Sequence, residues 1–140
     1  MNQNQLENIQ KKVEIDAPIY TVWSLVSTPS GLAQWFMPGE IKASEGHEFN
    51  LKSPFGPSPC KVTRAEEPNQ LTFDWDTEGW FVDVCLKEMG DKTECTVTHG
   101  GWGEADAIIG KANEKSAVIR ERMDGGWTGI VSKLKAVAEE

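Results

Sequence analysis

The chain reads as an α+β protein in which an antiparallel sheet curves around one long C-terminal helix over an apolar hollow. Three observations predict this. Residues 60–100 hold four short runs of alternating apolar and polar residues separated by turn residues. From about Ala117 to Ala138 the apolar spacing becomes helical. Between Ile15 and Phe36 lie two short helical patterns, placed to close one end of the hollow.

The elements follow in order. Ile9, Lys11, Val13 and Ile15 alternate with Gln10, Lys12 and Glu14, a half-buried strand. Asp16 stands where a helix N-cap belongs, with Pro18 in the first turn. Ile19, Val22, Trp23 and Val26 then make one apolar helix stripe, which Thr28-Pro29 ends. Ser30 is expected to cap a second short helix reaching Trp35 or Phe36, and Pro38-Gly39 stops it. Ile41/Ala43 and Phe49/Leu51 mark two strands around a turn at residues 44–47. Residues 53–59 carry three prolines and are expected to be a rigid loop outside any sheet interior.

Residues 60–67, 70–76, 80–88 and 93–100 are expected to form a four-stranded meander. A tight turn at Gly90-Asp91 sets Leu86 opposite Cys95, Val84 opposite Val97 and Val82 opposite His99. The preceding turn sets Trp75 opposite Trp80 and Phe73 opposite Val82. A tight turn at Pro68-Asn69 sets Val62 opposite Trp75 and Arg64 opposite Phe73. This register gathers the apolar residues on one face; a slip of one residue would scatter them. It points Asp74, Asp76 and Asp83 outward, sets Lys61 opposite Asp76, and separates Cys85 from Cys95 across the sheet. Gly100-Gly101-Trp102-Gly103 ends the last strand in a sharp exit turn, and residues 104–116 form a loop or short helix. In the final helix Ile119, Met123, Trp127, Ile130, Leu134 and Val137 make one stripe. Gly125, Gly126 and Gly129 lie inside it, which calls for close backbone packing or a bend over a cavity.

Composition narrows the function classes. The 140 residues fit one domain, expected over 9–140 behind a flexible lead at 1–8. A formal charge of -8 makes nucleic acid and anionic lipid surfaces poor partners. No apolar run is long enough for a signal peptide or a membrane span, so a cytoplasmic monomer or weak dimer is expected. Three scattered cysteines frame no disulfide network, and with two histidines they give no zinc-ligand spacing. No nucleotide or nucleophile-elbow fingerprint is present, and neither cofactor nor metal is expected.

Six Trp and five Phe against one Tyr suit an apolar interior. Phe73, Trp75, Trp80, Val82 and Val97 on the inner sheet face, with Met123 and Trp127 on the helix, either line a ligand pocket or fill the core; Trp35, Phe36 and Met37 stand at its mouth. His99 is a polar anchor, a general base, or a satisfied histidine at the end of the sheet. Arg64 and Glu66 fall on the inner face by register. Arg64 there can bind a ligand carboxylate, unless the strand twists both charges out to water, the reading that burial costs favour.

The order of elements resembles the helix-grip fold of the START and birch-pollen-allergen (Bet v 1-like) superfamily. Ile15-Asp16-Ala17-Pro18 with Val22-Trp23, Leu32-Ala33-Gln34-Trp35-Phe36, and Gly126-Trp127 with Leu134 are similar to the family named after the activator of the 90-kDa heat-shock chaperone ATPase. The resemblance spans about residues 10–138. It implies a seven-stranded antiparallel sheet wrapped around the C-terminal helix, two short helices after the first strand, and a hydrophobic cavity that in this superfamily takes lipids, sterols or polyketides. The function expected is binding of such an apolar small molecule, with residues 53–59 and the helix end near Phe36 as its gate. The alternatives are a stress-response co-chaperone module with a chaperone partner, or a cyclase or hydrolase of a polyketide-like substrate that works through His99.

Overall fold

A computed structural model describes residues 6–53, 56–77, 79–109 and 113–140. Strand β1 (Ile9–Ile15) leads into helices α1 (Ile19–Ser27) and α2 (Pro29–Trp35). Strands β2 (Glu48–Ser53), β3 (Gly56–Glu66), β4 (Gln70–Trp75), β5 (Trp80–Met89) and β6 (Lys92–Gly100) follow. A short hairpin, β7 (Ile108–Ile109) and β8 (Glu114–Lys115), precedes the long helix α3 (Ser116–Ala138).

The main sheet is antiparallel, with the order β1-β6-β5-β4-β3-β2. It has six strands, and the β7–β8 pair forms a separate two-stranded sheet, where seven strands in one sheet were expected. The difference lies at Ile41/Ala43, which make no strand. Only Gly39 bridges to Leu51 there. The Glu40 carbonyl accepts from His47 Nε2 (2.7 Å), and the Ser44 N–H turns back onto the Lys42 carbonyl. The backbone groups a ladder needs are thus used locally.

The β4–β5 and β5–β6 registers match the expectation pair for pair: Trp75 faces Trp80, Phe73 faces Val82, Val82 faces His99 and Leu86 faces Cys95. The β3–β4 register does not. Val62 faces Phe73, Cys60 faces Trp75 and Lys61 faces Asp74, and an irregularity between Val62 and Arg64 shifts the pairing so that Arg64 meets Thr72. Glu66 pairs with Gln70, so the turn holds three residues rather than two, and the bulge absorbs one more. The bulge also turns the Arg64 side chain to the outer face.

Residues 56–59, expected as loop, are strand. Pro57 faces Lys52 and Pro59 faces Asn50. Both prolines lie where β3 has run past the end of β4, on a sheet edge where a missing N–H breaks no ladder. Pro54 and Phe55 of the expected gate loop lie outside the described residues.

Two helix caps also differ from expectation. Pro18, not Asp16, is the N-cap residue of α1; the Asp16 backbone N–H donates instead to Glu139 (2.8 Å). Thr28, not Ser30, caps α2: its hydroxyl accepts the Gly31 N–H at 3.1 Å, with Pro29 in the first helical turn. Gly31 itself allows the two helices to touch. A Cβ there would lie 2.4 Å from the Ser24 carbonyl oxygen and 2.5 Å from Leu25 Cα.

Helix α3 crosses the concave side of the sheet with Ile119, Trp127, Val131, Leu134 and Ala138 buried. Lys11 pairs with Asp124 (2.9 Å), and Lys135 donates to the Glu14 carbonyl (2.8 Å), which ties the helix to β1. Leu6 N–H bonds the Gly103 carbonyl and Arg120 bonds the Glu7 carbonyl, so residues 6–8 of the expected lead are held against the domain. The three helix glycines are exposed, and a Cβ on Gly125, Gly126 or Gly129 would meet nothing within 4 Å. Close backbone packing is therefore not their reason.

Candidate functional site

Alternation along β4, β5 and β6 sends Phe73, Trp75, Trp80, Val82, Val97 and His99 to the same buried face. The deeper part of that face is closed: Phe49 packs on Phe73, and Val82 and Val97 are buried in the core. Toward the β4–β5 turn the side chains become indoles. Trp75 and Trp80, directly opposite across the strands, meet edge to face at 5.5 Å. After β6 the chain exits sharply at Gly101 (φ +84°), where any Cβ would lie 2.1 Å from the Gly79 carbonyl oxygen. The exit delivers Trp102 into the core, 5.0 Å from Trp80 and 4.4 Å from His99. Trp127 arrives from α3, and Phe36 from the end of α2 stacks on it at 5.2 Å.

Large rings set edge to face do not fill the end of the grip. They leave a cavity of about 440 Å³. Trp75 and Trp80 form its sheet wall; Ile119, Met123, Trp127 and Ile130 its helix wall; Phe36, Met37 and Ile109 close the sides. The polar residues on it are Ser53, Ser58, Asp76 and Arg122. Arg122 pairs with Glu114 of β8 (3.1 Å), so an ion pair joins the helix wall to the hairpin.

His99 is fully buried behind this wall and does not line it. Its Nδ1 accepts the Trp127 Nε1–H at 2.9 Å. An indole nitrogen only donates, so Nδ1 carries no proton and Nε2 does. Burial pushes the imidazole from 6.5 down to about 3. A neutral ring without access to the cavity does not supply a general base there. Its carbonyl accepts the Trp102 Nε1–H (2.9 Å). The histidine therefore orients two tryptophans.

Of the residues expected to contact a ligand, Phe36, Trp75, Trp80, Met123 and Trp127 meet at the cavity. Trp35, Phe73, Val82, Val97 and His99 are packed in the core instead. Trp35 is held through its Nε1, which donates to the Leu25 carbonyl (2.7 Å). Arg64 is exposed on the outer face and pairs with Glu66, also exposed. The register alone set both charges inward; the bulge turns Arg64 out and both reach water, the reading that burial costs favoured, and Arg64 as a ligand contact is corrected. Met37 lines the cavity as its place at the mouth implied, and so do Ile119 and Ile130 of the helix stripe. Ile109, Arg122 and Asp76 were not anticipated. Arg122 precedes Met123 on the helix and is found only once the helix rotation is known. Asp76 reaches the cavity through a left-handed backbone (φ 63°), which no strand pattern signals.

Sheet, enclosed helix and cavity define a helix-grip domain. The family pattern described as activator of Hsp90 ATPase homolog 1-like protein matches residues 16–139, and the chain belongs to that family. Its fold is that of the Bacillus halodurans protein BH1534, which is 48% identical over 99% of this chain and 100% of that one (TM-score 0.91). CalU16 from Micromonospora echinospora is 25% identical over 94% of this chain and 75% of that one (TM-score 0.70). The Aha1 dimer from Colwellia psychrerythraea shares the fold at 17% identity, over 96% and 97% of the two chains (TM-score 0.77). No protein of curated function matches the chain. No helix among the described residues is long and apolar enough to cross a membrane.

Proposed function

We propose that this protein binds an apolar small molecule in the cavity between the sheet and α3. The observation that carries this reading is a cavity of about 440 Å³ whose wall is mainly aromatic and aliphatic. That volume is in the range of small-molecule sites, which are apolar with a few placed polar groups. Affinity would come from apolar burial, at about 25 cal/mol per Å².

Native mass spectrometry, organic extraction and titration against a panel of apolar compounds test this. A co-purifying or saturably bound compound is the expected result. Ile130→Trp, at a half-buried position on the wall, fills the space without removing core volume and should abolish binding while the fold is kept. Unchanged affinity in that variant would place binding elsewhere. A protein that binds nothing would move the assignment to protein interaction, as the family's description would have it. That reading has less support: among the described residues the exposed large apolar side chains, Tyr20, Met89, Ile108 and Val118, stand on four different elements.

A further inference from the structure

We infer that the first turns of α3, residues 116–126, are a strap over the cavity that bends at Gly125-Gly126 to pass a ligand in and out. The inference rests on the cavity being a binding site and adds how that site is opened.

The helix glycines need a reason that packing does not give. Gly125, Gly126 and Gly129 are exposed, and a Cβ on any of them would meet nothing within 4 Å. No side chain is excluded there, so what glycine supplies is a weaker helix. Two of the three are adjacent, and they stand where the seating of α3 changes. From Trp127 onward each turn is sunk in the core: Trp127 is 1% exposed, Val131 6%, Leu134 0% and Ala138 6%. Ahead of the glycines only Ser116 and Ile119 are buried. Ile119, Arg122 and Met123 line the cavity there, with Met123 half-buried and Arg122 exposed. The glycine pair thus divides a helix half that lies on core from one that lies on space.

The half over the cavity is pinned at its two ends. The Ser116 hydroxyl donates to the Trp102 carbonyl (2.8 Å), and Trp127 Nε1 donates to His99 Nδ1 (2.9 Å), both bonds buried. Lys115, ahead of Ser116, is extended backbone, so no helical hydrogen bond spans that end. Between the pins, the side-chain ties among the described residues lie at the surface: Arg120 to the Glu7 carbonyl (2.7 Å), Asp124 to Lys11 (2.9 Å) and Arg122 to Glu114 (3.1 Å). Surface pairs of this kind hold weakly. At the other end a bend breaks the bonds that cross it, from the N–H groups of Gly126, Trp127 and Thr128 to the carbonyls of the preceding turn. Bare glycine backbone leaves the freed groups open to water. Bowing outward between the pins would lift Ile119 and Met123 off the cavity while Trp127 stays on His99.

Stopped-flow fluorescence of N-phenyl-1-naphthylamine, a neutral apolar probe, measures entry and exit rates. In Gly125→Ala/Gly126→Ala both rates should fall by about five- to thirtyfold, the worth of two such changes in a helix interior, with Kd little changed. Gly129→Ala makes the same change on the packed side of Trp127 and should slow neither. Amide hydrogen exchange gives a readout that needs no ligand. The amides of Gly126, Trp127 and Thr128 should exchange faster than those of Lys133, Leu134 and Lys135, and the double variant should slow them. If the probe binds saturably but its rates are unchanged in the double variant, or fall equally in Gly129→Ala, the strap falls and the binding role stands. Equal protection on the two sides of the glycines also overturns the strap, whatever the probe does. If the probe does not bind at any soluble concentration, the binding role and the strap fall together.

Discussion

The indole N–H of Trp127 donates to Nδ1 of His99 across 2.9 Å, and this bond joins the helix wall of the cavity to the sheet. It requires a neutral imidazole, and burial holds the ring neutral down to about pH 3. In the unfolded chain the same ring titrates near its ordinary 6.5. Between these values the unfolded state binds the extra proton, so stability rises with pH through the window and is lost as pH falls from about 6.5 toward 3. The full span is worth on the order of a few kcal/mol. Urea midpoints measured between pH 7.5 and 5 should fall with the slope of one proton taken up on unfolding. In His99→Gln the amide oxygen can accept the Trp127 N–H but nothing titrates, so that share of the slope should vanish. An equal slope in both proteins would show that His99 charges in the folded state.

The helix glycines offer a stability test with a definite sign. Each costs about 1 kcal/mol relative to Ala in a helix interior. Since a Cβ at Gly125 or Gly129 meets nothing within 4 Å, no clash offsets the gain. Gly125→Ala and Gly129→Ala should each stabilise by about 0.5–1 kcal/mol and raise Tm by a few degrees. Loss of stability in either variant would reveal a contact on that side of α3.

Arg64 marks where the sequence is legible and where it is not. Strand positions in β4, β5 and β6 follow from alternation and tight turns because each register error there would expose a whole apolar face. The β3–β4 pairing escapes that logic. Its bulge inserts one residue without disturbing the apolar set, since Val62 and Ala65 still face inward while Arg64 turns out. The cavity is half legible for a related reason: alternation tells which aromatic residues face inward, but not which of them find a partner to pack on. Phe73 meets Phe49 and is used up, whereas Trp75 and Trp80 border open space. Arg64→Ala should accordingly leave both thermal stability and probe affinity unchanged, measured by scanning fluorimetry and titration. A loss of affinity would require the side chain to reach the cavity after all.

The thiols should resist alkylation in the native state. Burial, with the Asp83 carboxylate beside it, raises Cys85 from 9.0 to about 11, so its reactive thiolate is about a hundredfold scarcer than in an exposed cysteine. Burial, with a smaller contribution from Cys85, lifts Cys95 to about 12, and burial also blocks the reagent. Iodoacetamide at pH 8 followed by peptide mass mapping should therefore label Cys85 slowly and Cys95 only after unfolding. Rapid labelling of Cys95 would mean that β6 opens locally.

Gly31 connects the packing of the two short helices to the cavity. Any side chain at this position meets backbone atoms of α1, Ser24 O at 2.4 Å and Leu25 Cα at 2.5 Å, which cannot rotate away. Helix α2 would have to move off α1, straining the Trp35 Nε1 bond to Leu25 O. Phe36, one residue further, would then leave its stack on Trp127, and the side of the cavity would open. Gly31→Ala should cost about 1–3 kcal/mol, the usual range for overpacking, and weaken binding of an apolar probe in the fraction that stays folded. Ser30→Ala, on the exposed neighbour, controls for helix propensity and should change neither. Should Gly31→Ala lose stability yet keep full affinity, Phe36 would be dispensable to the wall, and Met37 with the α3 residues would have to close the cavity without it.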